Sequence, residues 1–330
     1  MDLSLPRWKS SSDPERESAA KQLARTLPSG FAFDALDGDN AFFVFRDATF
    51  VLVPGTRVNL GFGAERAWNP TAEEFESWQR TARDYDLSES IEEHVTAVTL
   101  RPREVDLAPL LVEVSPWELG WTAIDSDDAE IESLLNKYPN GVQLCQGGMT
   151  TRVRKNKDGS VLAERSTNLT QSELAEELLS RGFRLPTSNE WEYLCGCGEQ
   201  TLFRWGDHVP CDRYPTDINP KEARYRREWV RSAGKLEPPP EGFTRDWDLH
   251  VKPNAFGIQI ASNPYHFELV AEAGILRGGD GGCATCGGYG FFAGWLPLAT
   301  AYFEEQFCKF DPAEPISPGY TIGRRVLDLR

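Results

Sequence analysis

Gly182-Phe183-Arg184-Leu185-Pro186-Thr187-Ser188-Asn189-Glu190-Trp191-Glu192-Tyr193 is the stretch on which the reading of this chain turns. Thr187 followed three residues later by Glu190 is a capping box, so a helix is expected to start there and carry Trp191 and Leu194 inward. Just upstream, Thr170 and Glu173 repeat the device, with Leu174, Leu178 and Leu179 on the helix that follows. Gly182 closes that helix, as glycine does where the chain leaves in a left-handed conformation. Two capped helices separated by Phe183-Arg184-Leu185-Pro186 are the firmest local structure in the sequence.

Outward from there the pattern is mixed. Asp13-Pro14-Glu15 reads as a helix start with Asp13 as cap, the helix running to about Leu27. Phe42–Phe45 and Phe50–Val53 are β-favouring runs joined by Arg46-Asp47-Ala48-Thr49, a hairpin. Thr71 and Glu74 cap a helix predicted to bury Phe75, Trp78, Ala82 and Tyr85. Val95–Leu100 and Leu110–Val114 read as strands, Ser115-Pro116 as the opening of a short helix through Trp117, and Lys155–Gly159 as a turn between extended pieces. Beyond Gly196 periodicity fades. Long ordered loops are expected there, including a Pro-rich surface loop at 237–242 and a glycine run from Gly278 to Gly290 too dense for regular structure. Residues 1–110 are expected to join residues 111–330 in one α+β domain.

The chain has 330 residues, 26% of them charged, with 35 Lys and Arg against 51 Asp and Glu, a net charge of −16. Such a surface repels phosphate backbones and anionic lipids over about 8 Å at physiological salt, which excludes generic nucleic-acid and membrane binding. Seven cysteines cannot all pair within one chain. The N-terminal Met1–Arg7 lacks the layout of a secretion signal and no apolar run approaches a membrane span, so a cytoplasmic protein with reduced thiols is expected.

Reduced thiols are free to bind soft metals, and Cys283-Ala284-Thr285-Cys286 is a C-x-x-C inside the glycine run. Two thiolates at that spacing suit Cu(I) or Zn(II), or close a redox disulfide. Cys195-Gly196-Cys197 is too tight for a zinc knuckle. His94, His208, His250 and His266 show no metal-binding spacing, and neither a phosphate-cradling loop nor a nucleophile elbow is present.

Four stretches in order resemble the sulfatase-modifying-factor family, whose founding members are formylglycine-generating enzymes. They are Gly182–Tyr193, similar to the family's G-x-R-L-P-T-x-x-E-W-E-Y; Pro253–Ile258; Leu276-Arg277-Gly278-Gly279; and Ile322–Leu327. Phe203-Arg204-Trp205-Gly206-Asp207 is similar to the family's Y-P-W-G-D. The resemblance implies an irregular, loop-rich α+β fold, formylglycine-generating-enzyme-like and related to C-type lectins. It also implies oxidation of a peptidyl cysteine, or a similar small thiol substrate, by O₂ at a Cu(I) held by two cysteines. Cys283 falls at the position of the first ligand, and Cys286 stands as the second although the family's spacing is C-x-x-x-x-C. Both are therefore the candidate catalytic and metal residues, with His266, Tyr289 and Trp295 as candidate groove residues. Calcium is the family's second ion, and Asn263 and Glu268 are its candidate ligands here. The family's G-N-V-W-E-W is replaced by Ser262–Leu269, and Arg324 stands where its closing G-F-R has Phe. These departures keep open an alternative, a non-catalytic ligand- or protein-binding module on the same scaffold.

Overall fold

The protein is described by a computed structural model covering residues 2–63, 68–125, 128–146, 149–156, 158–211, 213–216 and 249–329; within this, the side chains of Cys283 and Thr285 lie outside the described set. The Pro-rich stretch at 237–242 also lies outside the described residues.

Strands Phe31–Asp37, Asn40–Phe45, Ala48–Val53, Leu110–Glu113 and Val326–Asp328 form one antiparallel sheet in that order. Residues near the start and the end of the chain thus share a sheet. Its middle strands are buried on both faces, which is why Phe50–Val53 and Leu110–Val112 are continuous apolar runs and not alternating ones. Phe50, Leu52 and Leu111 face a core with Phe43, Leu174, Leu178 and Phe183. Val51, Val53, Leu110 and Val112 face Trp191, Tyr193 and Leu194 of the helix Ser188–Gly196.

Strands Leu276–Arg277, Phe267–Leu269, Thr321–Gly323 and Trp117–Glu118 build a second sheet, with the middle pair parallel. A third, Trp121–Ala123, Val161–Ser166, Met149–Lys155 and Gly141–Gln146, packs its small core on Ile131 of the helix Ala129–Lys137. Thr56–Leu60 pairs with Arg103–Leu107. The α+β class is what the sequence predicts.

The capping boxes at Thr71, Thr170 and Thr187 each form with both arms in place. Other expectations are corrected. The cap of the helix Asp13–Ala24 is Ser12, boxed with Glu15, so Asp13 is already helical. Val95–Leu100 is not a strand, because a Ser90–Glu93 capping box starts the helix Ile91–Ala97 and buries Ile91 and Val95 one turn apart. Trp117 is not helical but pairs with Gly323 as a strand. The helix Ala72–Asp84 buries Glu74, Ser77, Trp78 and Thr81, leaving Phe75 and Tyr85 exposed.

The stretches that carry the resemblance meet in space. Arg184 exchanges backbone hydrogen bonds with Val326, and its guanidinium bridges Glu190 and Asp328. Asn254 donates to the Leu194 carbonyl at 2.6 Å and accepts from the Phe256 and Ile258 amides, tying its own turn to the end of a helix. Arg277 lies 4.8 Å over the Trp191 ring and donates to Ser188 Oγ and the Thr300 carbonyl. Partners for the two terminal nitrogens offset part of the several kcal/mol that desolvating this charge costs, while its Nε stays without a hydrogen bond.

Candidate functional site around the glycine-rich helix

Gly281–Gly287 is an α-helix, contrary to the expectation of a loop. Each glycine costs about 1 kcal/mol relative to alanine in a helix interior, so packing must repay it. The contacts show how. A Cβ on Gly281 would come within 2.5 Å of Pro264 and 2.8 Å of the Gly294 carbonyl, and one on Gly282 within 2.1 Å of the Tyr265 ring. The turn Asn263–His266 and the helix Phe291–Trp295 therefore press directly on bare backbone, an approach only glycine permits. Gly281 N–H donates to the Pro264 carbonyl at 2.8 Å and locks the arrangement.

The neighbouring helix Phe291–Trp295 is capped from outside. Gly290 N–H donates to Thr81 Oγ1 at 2.7 Å and Phe292 N–H to Ser77 Oγ at 3.1 Å. These two hydroxyls satisfy donors a helix start leaves open, which explains why a polar face of the helix Ala72–Asp84 is buried. At the other end, Tyr85 stacks on Tyr289 at 3.9 Å and its hydroxyl donates to the Gly287 carbonyl; the Tyr214 hydroxyl donates to the Tyr289 carbonyl.

Cys283 and Cys286 occupy positions one turn apart on this short helix, and residues three apart share a helical face. The Cys286 thiol is free and exposed, with Tyr265 Oη 3.8 Å from its sulfur. The Cys283 side chain lies outside the described set. The remaining described cysteines divide clearly. Cys195 and Cys308 are buried, and burial pushes their thiols up to about 12 and about 11. Cys197, half-buried, is likewise pushed to about 11. Among the described residues no group of three or more His, Cys, Asp or Glu side chains could hold a metal ion.

Beside the helix lies a cleft of about 290 Å³. The helix and the residues flanking it contribute Asp280, Ala284 and Tyr289, and the following turn contributes Leu296, Pro297 and Tyr302. Across it stand Glu89 and His94, with His94 Nδ1 2.7 Å from Glu89 Oε1 and the imidazole 4.4 Å from the Trp78 ring. Tyr302 Oη donates to Glu304 Oε2 at 2.9 Å. Burial first, and the adjacent Glu304 second, hold the Tyr302 phenol far above its ordinary range, so it is a hydrogen-bond donor at any working pH.

The remaining predicted residues fall in three places. Tyr289 lines the cleft. Trp295 does not line a groove: it is 1% exposed, packs edge-on against Trp205 and His250, and donates its indole N–H to the Arg213 carbonyl. Asn263, His266 and Glu268 come together around a separate cavity of about 10 Å³, room for one water, with Trp191 and Arg277. Burial lowers the His266 imidazole below its ordinary value, keeping it neutral.

Both oxygens of Glu268 accept from the buried Arg324, at 2.5 and 3.2 Å, and Asn263 Oδ1 accepts from Tyr265 N–H. A calcium ion there would have to share a carboxylate with a guanidinium, so this pair does not fit calcium.

The sequence gives no signal for Glu89, Asp280, Tyr302 or Glu304 as site residues, and His94 stands in it only as a histidine without metal-binding spacing. His94 and Glu89 flank a capping box that was itself overlooked, and nothing in local spacing joins them to residues 280–304. Compared with known proteins, the chain matches no family model and no curated protein.

Proposed function

We propose that this protein is a divergent, formylglycine-generating-enzyme-like oxidase that acts on a thiol, a peptidyl cysteine or a similar small substrate, with O₂ as oxidant and Cu(I) as cofactor. The observation that carries the reading is the placement of the C-x-x-C on one turn of a helix with the Cys286 thiol free and exposed. Two thiolates are the donor set a soft monovalent ion prefers, so Cys283 and Cys286 would hold it. Bound there, copper would supply the centre for O₂ reduction.

The chain's own residues fix the rest. Tyr265, wedged against Gly282, positions its hydroxyl beside Cys286. The Tyr85–Tyr289 stack anchors the far end of the helix. The cleft of about 290 Å³ offers apolar walls from Leu296 and Pro297 and polar groups from Asp280, His94 and Tyr302, room for one side chain of a peptide or a small thiol. Converting a cysteine to its aldehyde with release of sulfide removes two electrons, whereas O₂ reduced to two waters takes four. Two further thiols, oxidised to a disulfide, balance the reaction.

A second reading, a binding module without chemistry, draws on a specific observation: the motif charges Arg277, Arg324, Glu192 and Glu268 are all spent in buried ion pairs that hold the scaffold. Anaerobic Cu(I) titration of the reduced full chain separates the two. One equivalent bound tightly, and lost in both Cys283→Ala and Cys286→Ala, supports the oxidase. Unchanged affinity in the variants removes copper from the pair.

A further inference from the structure

His94 and Glu89 form a carboxylate–imidazole pair on the wall of the cleft that the glycine-rich helix also lines. Glu89 as a carboxylate only accepts, so Nδ1 carries the hydrogen and Nε2 of the neutral ring is left as the base. Nε2 has no hydrogen-bond partner among the described residues, and the side chain is 20% exposed. The ring cannot turn freely, since it lies at 31° against Trp78, whose indole N–H in turn donates to the Glu89 carbonyl at 3.1 Å. A single indole therefore fixes both partners of the pair.

We infer that His94 is the general base of the cleft, the group that takes the proton of the proposed thiol substrate. This rests on the oxidase reading and extends it. The transfer balances simply: the substrate S–H gives its proton to His94 Nε2, leaving a thiolate and an imidazolium whose charge Glu89 compensates at 2.7 Å. Other groups facing the imidazole bear on that charge. Across the cleft these are Asp280, Tyr302 and Glu304. Alanine at 284 and the walls of Leu296 and Pro297 give the substrate carbon chain an apolar seat.

The test uses metal-free, reduced full-length protein under argon and phenylmethanethiol as probe, at a pH above the ordinary imidazole value of about 6.5 and below the pKa of the thiol. Absorbance of the thiolate reads the proton transfer, and equilibrium dialysis reads binding. With probe raised until each protein binds the same amount, the expected result is a thiolate band in the wild type that is lost in His94→Gln and weakened in Glu89→Gln. An equal band in wild type and His94→Gln, or no uptake of phenylmethanethiol, overturns the inference. Because no copper is present, that failure is distinguishable from failure of the cysteine pair to bind metal, which the Cu(I) titration reads separately.

Discussion

Arg324 Nε lies 2.5 Å from Glu268 Oε1, with both side chains sealed from solvent, and the same guanidinium also donates to the backbone carbonyls of Glu113, Val114 and Gln259. One cation therefore ties the second sheet to the first. Removing either partner strands a buried charge, at a cost of about 3–5 kcal/mol. Glu268→Gln and Arg324→Met should each lose stability on that scale in urea unfolding. The double variant Glu268→Gln with Arg324→Met should lose less than the sum, since no charge is then left alone. Additive losses would show that the two side chains act independently.

Gly282 tests the packing around the cysteines. Its added Cβ would collide with Tyr265 ring carbons at 2.1 Å, so Gly282→Ala must displace the tyrosine from Cys286. Lower stability together with faster alkylation of Cys286 is the expected outcome. Gly288→Ala is the control: there the nearest atom to an added Cβ is 4.0 Å away, although its φ of +77° adds strain. If Cys286 reacts at the same rate in all three proteins, Tyr265 does not shield it.

The cap on the helix Phe291–Trp295 comes from Ser77 and Thr81, over 200 residues away in sequence. Thr81→Val keeps the shape and removes the oxygen that Gly290 N–H needs. It should cost about 1 kcal/mol, the usual worth of such a cap, and speed hydrogen exchange at Gly290. Unaltered exchange at that amide would contradict the assigned bond.

Buried thiols make stability fall in alkali. Cys195, Cys197 and Cys308 are raised from an ordinary 9.0 to about 12, 11 and 11 by burial. Below pH 9 they are protonated in folded and unfolded chains alike, and their contribution is fully present. Above pH 9 the unfolded chain releases these protons first, so stability declines toward the folded values. Urea midpoints should drop between pH 9 and 11, and Cys195→Ala should shallow that slope. A flat profile would mean these thiols ionise as readily folded as unfolded.

The parts of the fold that were legible are those where one short motif decides locally. Thr71/Glu74, Thr170/Glu173 and Thr187/Glu190 each state a helix start in four residues, and the Phe42–Val53 hairpin follows from β-favouring runs around a polar turn. Val95–Leu100 misleads because its β-branched residues outweigh, on paper, the Ser90–Glu93 box that governs it. Gly281–Gly287 misleads for a different reason: its glycines mark close approach by Pro264, Tyr265 and Gly294, which only the folded chain brings near. The cysteine pair is visible as a spacing. The cleft is not, since Glu89 and His94 reach residues 280–304 through tertiary packing alone. Trp295, expected in a groove, is turned inward by the helix that carries it.

X-ray absorption at the copper edge, on protein loaded with one equivalent of Cu(I) without oxygen, tests the central claim most directly. Two sulfur neighbours in the wild type, falling to one in Cys286→Ala, are predicted. A first shell of nitrogen and oxygen, or one untouched by Cys286→Ala, would contradict the assignment of copper to this helix.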